Sequence, residues 1–199
     1  MRIARIAVLA AVAGLSATPS FAAPVTLHFK GEVTSENQGT YFFPFQTQVG
    51  DPISFDVTFD NQTACSVCDS TFREYDHAIV DFKLSVAGTI VSMPLETSSI
   101  RLRNDEPLGD GTFIDEVTFS LAGEYSPGVL FYGDLVFQSL SPSEPVPGID
   151  SVELANLVSI DPAMFTDASL SFFNFNALSD DGGYDSFGGH FVLEPAARR

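Results

Sequence analysis

The chain has no tryptophan, two cysteines and three histidines, and only nine lysines and arginines against 26 aspartates and glutamates. Each scarcity removes a class of function. A net charge of −17 repels nucleic acid and anionic lipid, so no nucleic-acid partner is expected. Without tryptophan, the commonest stacking platform for sugar rings is missing, which counts against a strong carbohydrate-binding module. After the first residues no apolar run reaches the ~20 residues that a membrane span requires, so no transmembrane segment is expected in the mature chain. No G-x-S-x-G elbow is present. His28, His77 and His190 are scattered singly, and no catalytic residue is assigned.

The opening residues read as a targeting label. Arg2 and Arg5 make a basic start, Ile6 to Leu15 is apolar, and Ser20-Phe21-Ala22 offers small side chains to a peptidase. This is the pattern of a secretory signal peptide, with cleavage expected after Ala22. Residues 1–22 are then the leader and 23–199 one mature domain. The leader holds two arginines and no acid, so its removal takes −17 to −19. The expected location is secreted or periplasmic.

Cys65 and Cys68 form a C-x-x-C pair in the polar segment Thr63–Asp69. Such a pair can be redox-active, half of a zinc site, or a small disulfide. Zinc needs four ligands, and a thioredoxin-like motif needs a helix opening at the first cysteine. An exported chain favours a local disulfide closing a loop tip.

Nineteen phenylalanines and five tyrosines suit pleated, half-buried strands. Two-residue alternation runs through Val25–Val33, Ile53–Phe59 and Val80–Val86, which puts one side of each strand in a core. Ala87-Gly88 turns the last of these into Thr89–Met93, a predicted hairpin. Further strands are predicted over 99–104, 116–121, 129–140, 151–159, 168–175 and 188–193. Asp161-Pro162 predicts a single helical turn, and Ser141–Gly148 a loop. Many short strands separated by turns predict an all-β, single antiparallel β-sandwich of jelly-roll-like form.

The layout also resembles a known group. Gly31-Glu-Val33 ends the first strand, Val49-Gly-Asp-Pro-Ile-Ser-Phe-Asp-Val-Thr-Phe-Asp60 follows, and Leu170-Ser-Phe-Phe-Asn-Phe175 comes late. This resembles the secreted Gram-negative proteins that carry a PEP-CTERM sorting tail. The resemblance implies a link to exopolysaccharide or biofilm matrix, and no known activity. The tail departs from the group: Glu194-Pro195 and Arg198-Arg199 stand where a helix would separate such elements, so periplasmic or released protein is expected rather than anchored.

Carboxylates gather in two glycine-containing turns. Asp105, Asp110 and Asp115 surround Gly109 and Gly111, and Asp180, Asp181 and Asp185 surround Gly182 and Gly183. Ca²⁺ takes six to eight oxygens, which such loops can supply. Neither matches an EF-hand, and Asp and Gly are also the ordinary residues of turns. The expectation is therefore an exported, non-enzymatic envelope or matrix protein that binds polysaccharide or Ca²⁺. The alternative is a carbohydrate-active hydrolase on the same scaffold, which would need two carboxylates facing each other across a cleft.

Overall fold

Alternation decides the architecture because it gives each strand one greasy side that must be covered. The computed structural model describes residues 24–38, 43, 45–93, 95–144, 146, 148–159 and 171–193. The predicted leader 1–22, the predicted helical turn at Asp161–Phe165, the first residues of the predicted strand 168–175 and the residues 194–199 lie outside these residues. Among the described residues there are eleven strands: β1 Val25–Gln38, β2 Pro52–Phe59, β3 Val67–Cys68, β4 Phe72–Asp76, β5 Ile79–Val86, β6 Thr89–Ser92, β7 Thr97–Pro107, β8 Phe113–Ser126, β9 Val129–Ser141, β10 Phe172–Ser179 and β11 Tyr184–Leu193. They form one antiparallel sheet in the order β3-β4-β7-β8-β9-β10-β11-β1-β2-β5-β6.

The sandwich predicted from the sequence is made by this single sheet rolling over itself. Phe29 on β1 meets Phe137 on β9 at 5.3 Å and Phe119 on β8 at 5.9 Å between ring centroids. Phe59 on β2 meets Phe119 at 6.5 Å. Strands far apart in the sheet order therefore face each other across the core. Phe55, Phe82 and Phe119 are all buried, as the alternation requires. Burying each such ring contributes about 1.5–3 kcal/mol, and edge-on pairs add roughly 0.5–1.5 kcal/mol. Nearly all the largest fully buried side chains are phenylalanines.

Several glycines, among them Gly31, Gly133 and Gly189, mark places where the sheet leaves no room for a side chain. A Cβ at Gly31 would stand 2.1 Å from the His190 carbonyl oxygen, which explains the glycine of Gly31-Glu-Val33. A Cβ at Gly133 would stand 2.0 Å from Cδ1 of Phe175.

One predicted strand is different in the structure. Residues Leu154–Ser159, inside the segment 151–159, form a 3-10 helix. Val152 just before it and Leu154 and Leu157 within it are buried, and the 154-to-157 spacing is that of a helical turn. The hydroxyl of Tyr75 on β4 fixes this segment: it donates to the Val152 carbonyl at 2.7 Å and accepts from the Leu154 amide at 3.1 Å. Among the described residues no helix is long and apolar enough to cross a membrane.

Candidate functional site

The strand register builds a groove on the outer face of β4, β7, β8 and β9. Directly paired residues share a face. Asp76 pairs with Ser99, Ser99 with Ser120, and Ser120 with Asp134. One row therefore crosses four strands, with a carboxylate at each end and hydroxyls between. The next row contains Thr97, Ala122 and Tyr132. Because the outward residues of β7 and β8 are small here, the floor is low, while Asp76 and His77 stand at one side and Tyr132 and Asp134 at the other. The groove holds about 460 Å³, within the size range of small-ligand sites.

Its polar groups are organised before any ligand arrives. Ser120 Oγ donates to Asp134 Oδ1 at 2.6 Å, and Arg101 Nη2 approaches Ser120 Oγ at 3.5 Å. His77 has a left-handed backbone, φ 56°, rare for a residue with a side chain. Its N–H donates to the Ser98 carbonyl at 2.7 Å, which holds the corner. Tyr132 is 43 % exposed, so its ring is open to a partner. The same face continues over β10 and β11, where Asn176 pairs with Tyr132 and accepts a 2.6 Å hydrogen bond from the Tyr184 hydroxyl. Beside the groove, Arg103 lies 3.2 Å from Glu106 and 3.5 Å from Glu116, and Gln138 donates to Glu116 at 2.8 Å.

This arrangement can bind a polyhydroxyl ligand: carboxylates and hydroxyls exchange hydrogen bonds with it, and an amphipathic ring covers its apolar face. Hydrolysis asks for more. Asp76 and Asp134 are three strand spacings apart, about 14 Å at the usual ~4.8 Å per strand. Paired glycosidase carboxylates stand roughly 5–9.5 Å apart.

The six aspartates read as Ca²⁺ candidates take separate places. Asp105 and Asp115 are joined directly: Asp115 Oδ1 accepts the Asp105 N–H at 2.8 Å. Asp115 Oδ2 accepts the Ile149 N–H at 2.8 Å, and Asp105 Oδ1 accepts the Val146 N–H at 2.6 Å. These two side chains thus latch the segment after β9 onto the β7–β8 hairpin. Gly148 is close against the latch, since a Cβ there would lie 2.5 Å from Asp115 Oδ2. Asp115 is fully buried, and burial pushes its carboxyl up to about 6; Asp105 and Asp150 add to this, while the two amides oppose it. Asp110 accepts from the N–H and hydroxyl of Thr112, and Asp181 from Ser179 and the Gly183 N–H. Both carboxyls are held below the usual range, first by those hydroxyl hydrogen bonds and then by the amides. Asp180 is exposed and Asp185 buried. Among the described residues no three His, Cys, Asp or Glu side chains converge as a metal site.

Cys65 and Cys68 are at disulfide distance, with Cα atoms 5.8 Å apart. They close the turn that leads into β3, at one edge of the sheet. All three histidines are exposed, and His28 Nδ1 lies 2.7 Å from Asp56 Oδ1.

The sequence reading missed this groove entirely. Small residues at alternate positions in Thr97-Ser98-Ser99 and Ser120-Leu121-Ala122 were the available signal, but only the pairing of β7 with β8 brings them together. No protein-family model matches the chain, and neither a curated protein nor a solved structure is significantly similar to it.

Proposed function

We propose that the protein is an exported, non-enzymatic component of the cell envelope or extracellular matrix that binds polysaccharide along the groove of β4, β7, β8 and β9. Export rests on the leader pattern of residues 1–22, and the matrix on the resemblance to PEP-CTERM proteins. The observation that carries the binding reading is the row Asp76–Ser99–Ser120–Asp134, flanked by the exposed Tyr132 ring. An open row of acceptors and hydroxyls suits a polymer that runs past its site. The ~14 Å between the two carboxylates favours binding over hydrolysis. Calcium is not part of the proposal, because the oxygens of Asp105, Asp115, Asp110 and Asp181 accept hydrogen bonds from their own chain.

The test is a glycan array probed with residues 23–199, followed by affinity measurements on the best oligosaccharide. Tyr132→Ala and Asp134→Ala should each weaken binding about tenfold, the loss of one good contact of roughly 1.4 kcal/mol. An array with no bound glycan overturns the proposal. So does a bound glycan whose affinity neither substitution changes.

A further inference from the structure

Resting on the polysaccharide reading, we infer that the groove selects a glycan bearing free amino groups, and discriminates against one bearing carboxylates. The first ground is the charge at the two ends of the row. Asp76 and Asp134 terminate it, and the residues between them, Ser99 and Ser120, are uncharged. A polymer with an amine on every sugar can place one ammonium beside each carboxylate without bending. Ammonium–carboxylate hydrogen bonds are about twice as strong as neutral ones.

The second ground is how the local cations are used. Arg101 is directed at Ser120, whose own proton goes to Asp134. That contact engages the guanidinium, and Arg101 itself does not line the groove. Glu74 pairs with Arg101 across β4 and β7, adding a further carboxylate beside it. His77, at the rim, is the basic side chain among the residues that line it. The third ground is the whole chain: at −17 its field draws a cationic polymer in and holds an anionic one away.

The electrostatics also separate a built site from general attraction. A protein this acidic collects polycations anywhere on its surface, so the groove must be told apart from the rest of that surface. Asp134→Asn keeps the shape and an acceptor for Ser120 while removing the charge. Asp110→Asn is the control, since Asp110 is an exposed carboxylate in the β7–β8 turn, at the opposite end of β7 from Ser99 and about 25 Å along the strand.

The experiment is titration calorimetry of residues 23–199 with hexamers of glucosamine, N-acetylglucosamine and galacturonate, in 20 and 300 mM NaCl. The glucosamine hexamer should bind about tenfold more tightly than its N-acetylated counterpart, with the preference shrinking at the higher salt as exposed charges are screened. Galacturonate should not bind. Asp134→Asn should erase the preference and Asp110→Asn should leave it. Equal affinity for the glucosamine and N-acetylglucosamine hexamers, or tighter binding of galacturonate, overturns the charge selection and leaves the polysaccharide site standing. Equal losses in the two variants overturn it too, since attraction is then general. No binding of any hexamer, together with a blank glycan array, overturns the underlying reading as well.

Discussion

Replacing Asp115 by asparagine should remove a pH dependence that the wild-type protein carries. Asp115 is fully buried, and its carboxyl titrates near 6 in the folded chain against 3.8 for an ordinary aspartate. The folded state therefore holds this proton more tightly than the unfolded one. Its stabilising contribution is complete below pH 3.8 and is lost as pH rises through 6. At 1.36 kcal/mol per unit the whole loss is about 3 kcal/mol, of which about 1.4 kcal/mol falls between pH 5 and 7.5. Asparagine cannot ionise, but its amide nitrogen faces a backbone N–H where Asp115 offered an acceptor. One buried N–H is left unsatisfied, at a cost of about 1–3 kcal/mol. Urea unfolding followed by far-ultraviolet circular dichroism at pH 5.0 and 7.5 reads both effects. The variant should be less stable at pH 5.0, and the gap to wild type should narrow by about 1.4 kcal/mol at pH 7.5. Comparing the gap cancels every group the two proteins share. A gap that stays constant or widens with pH refutes the reasoning.

Three further outcomes follow from the packing. Tyr75→Phe loses the hydrogen bonds to Val152 and Leu154 and should cost about 1–3 kcal/mol, seen as a lower urea midpoint with an unchanged slope. Gly133→Ala drives a methyl into the Phe175 ring, which is already packed against Phe131 at 5.5 Å and Phe187 at 5.4 Å. It should destabilise by about 1–3 kcal/mol, and a melting temperature equal to wild type would show that the ring can move aside. Cys65→Ser opens a very short loop and should cost about 2 kcal/mol, measurable by calorimetry, with glycan affinity unchanged.

Strands with one wet and one greasy side were legible residue by residue. Ile53–Phe59 alternates in the sequence and alternates in burial. β4 escaped because Phe72-Arg-Glu-Tyr-Asp76 carries charges at most positions; only Tyr75 is fully buried, and a single inward residue makes no period. The segment at 154–159 was misread because Val152 and Leu154 are two apart, as in a strand, and the helical step to Leu157 comes only afterwards. The candidate acids show a deeper limit. Composition reveals that oxygens are plentiful in a turn, but whether they face a cation or a backbone N–H depends on chain segments as distant as Asp115 and Ile149. The groove was hidden for the same reason. It is an absence of bulk shared by neighbouring strands, and absence has no motif.

The middle of the sheet has a consequence for how the molecule is made. β1 is hydrogen-bonded to β2 on one side and to β11 on the other, so Phe29 waits for Phe191, 5.5 Å away in the finished core. On a ribosome, everything emerging before residues 184–193 lacks the strand that bridges its two flanks. Pairings of such long sequence separation form slowly. Each flank can pair within itself beforehand, and the joining of the two through residues 184–193 becomes a late event.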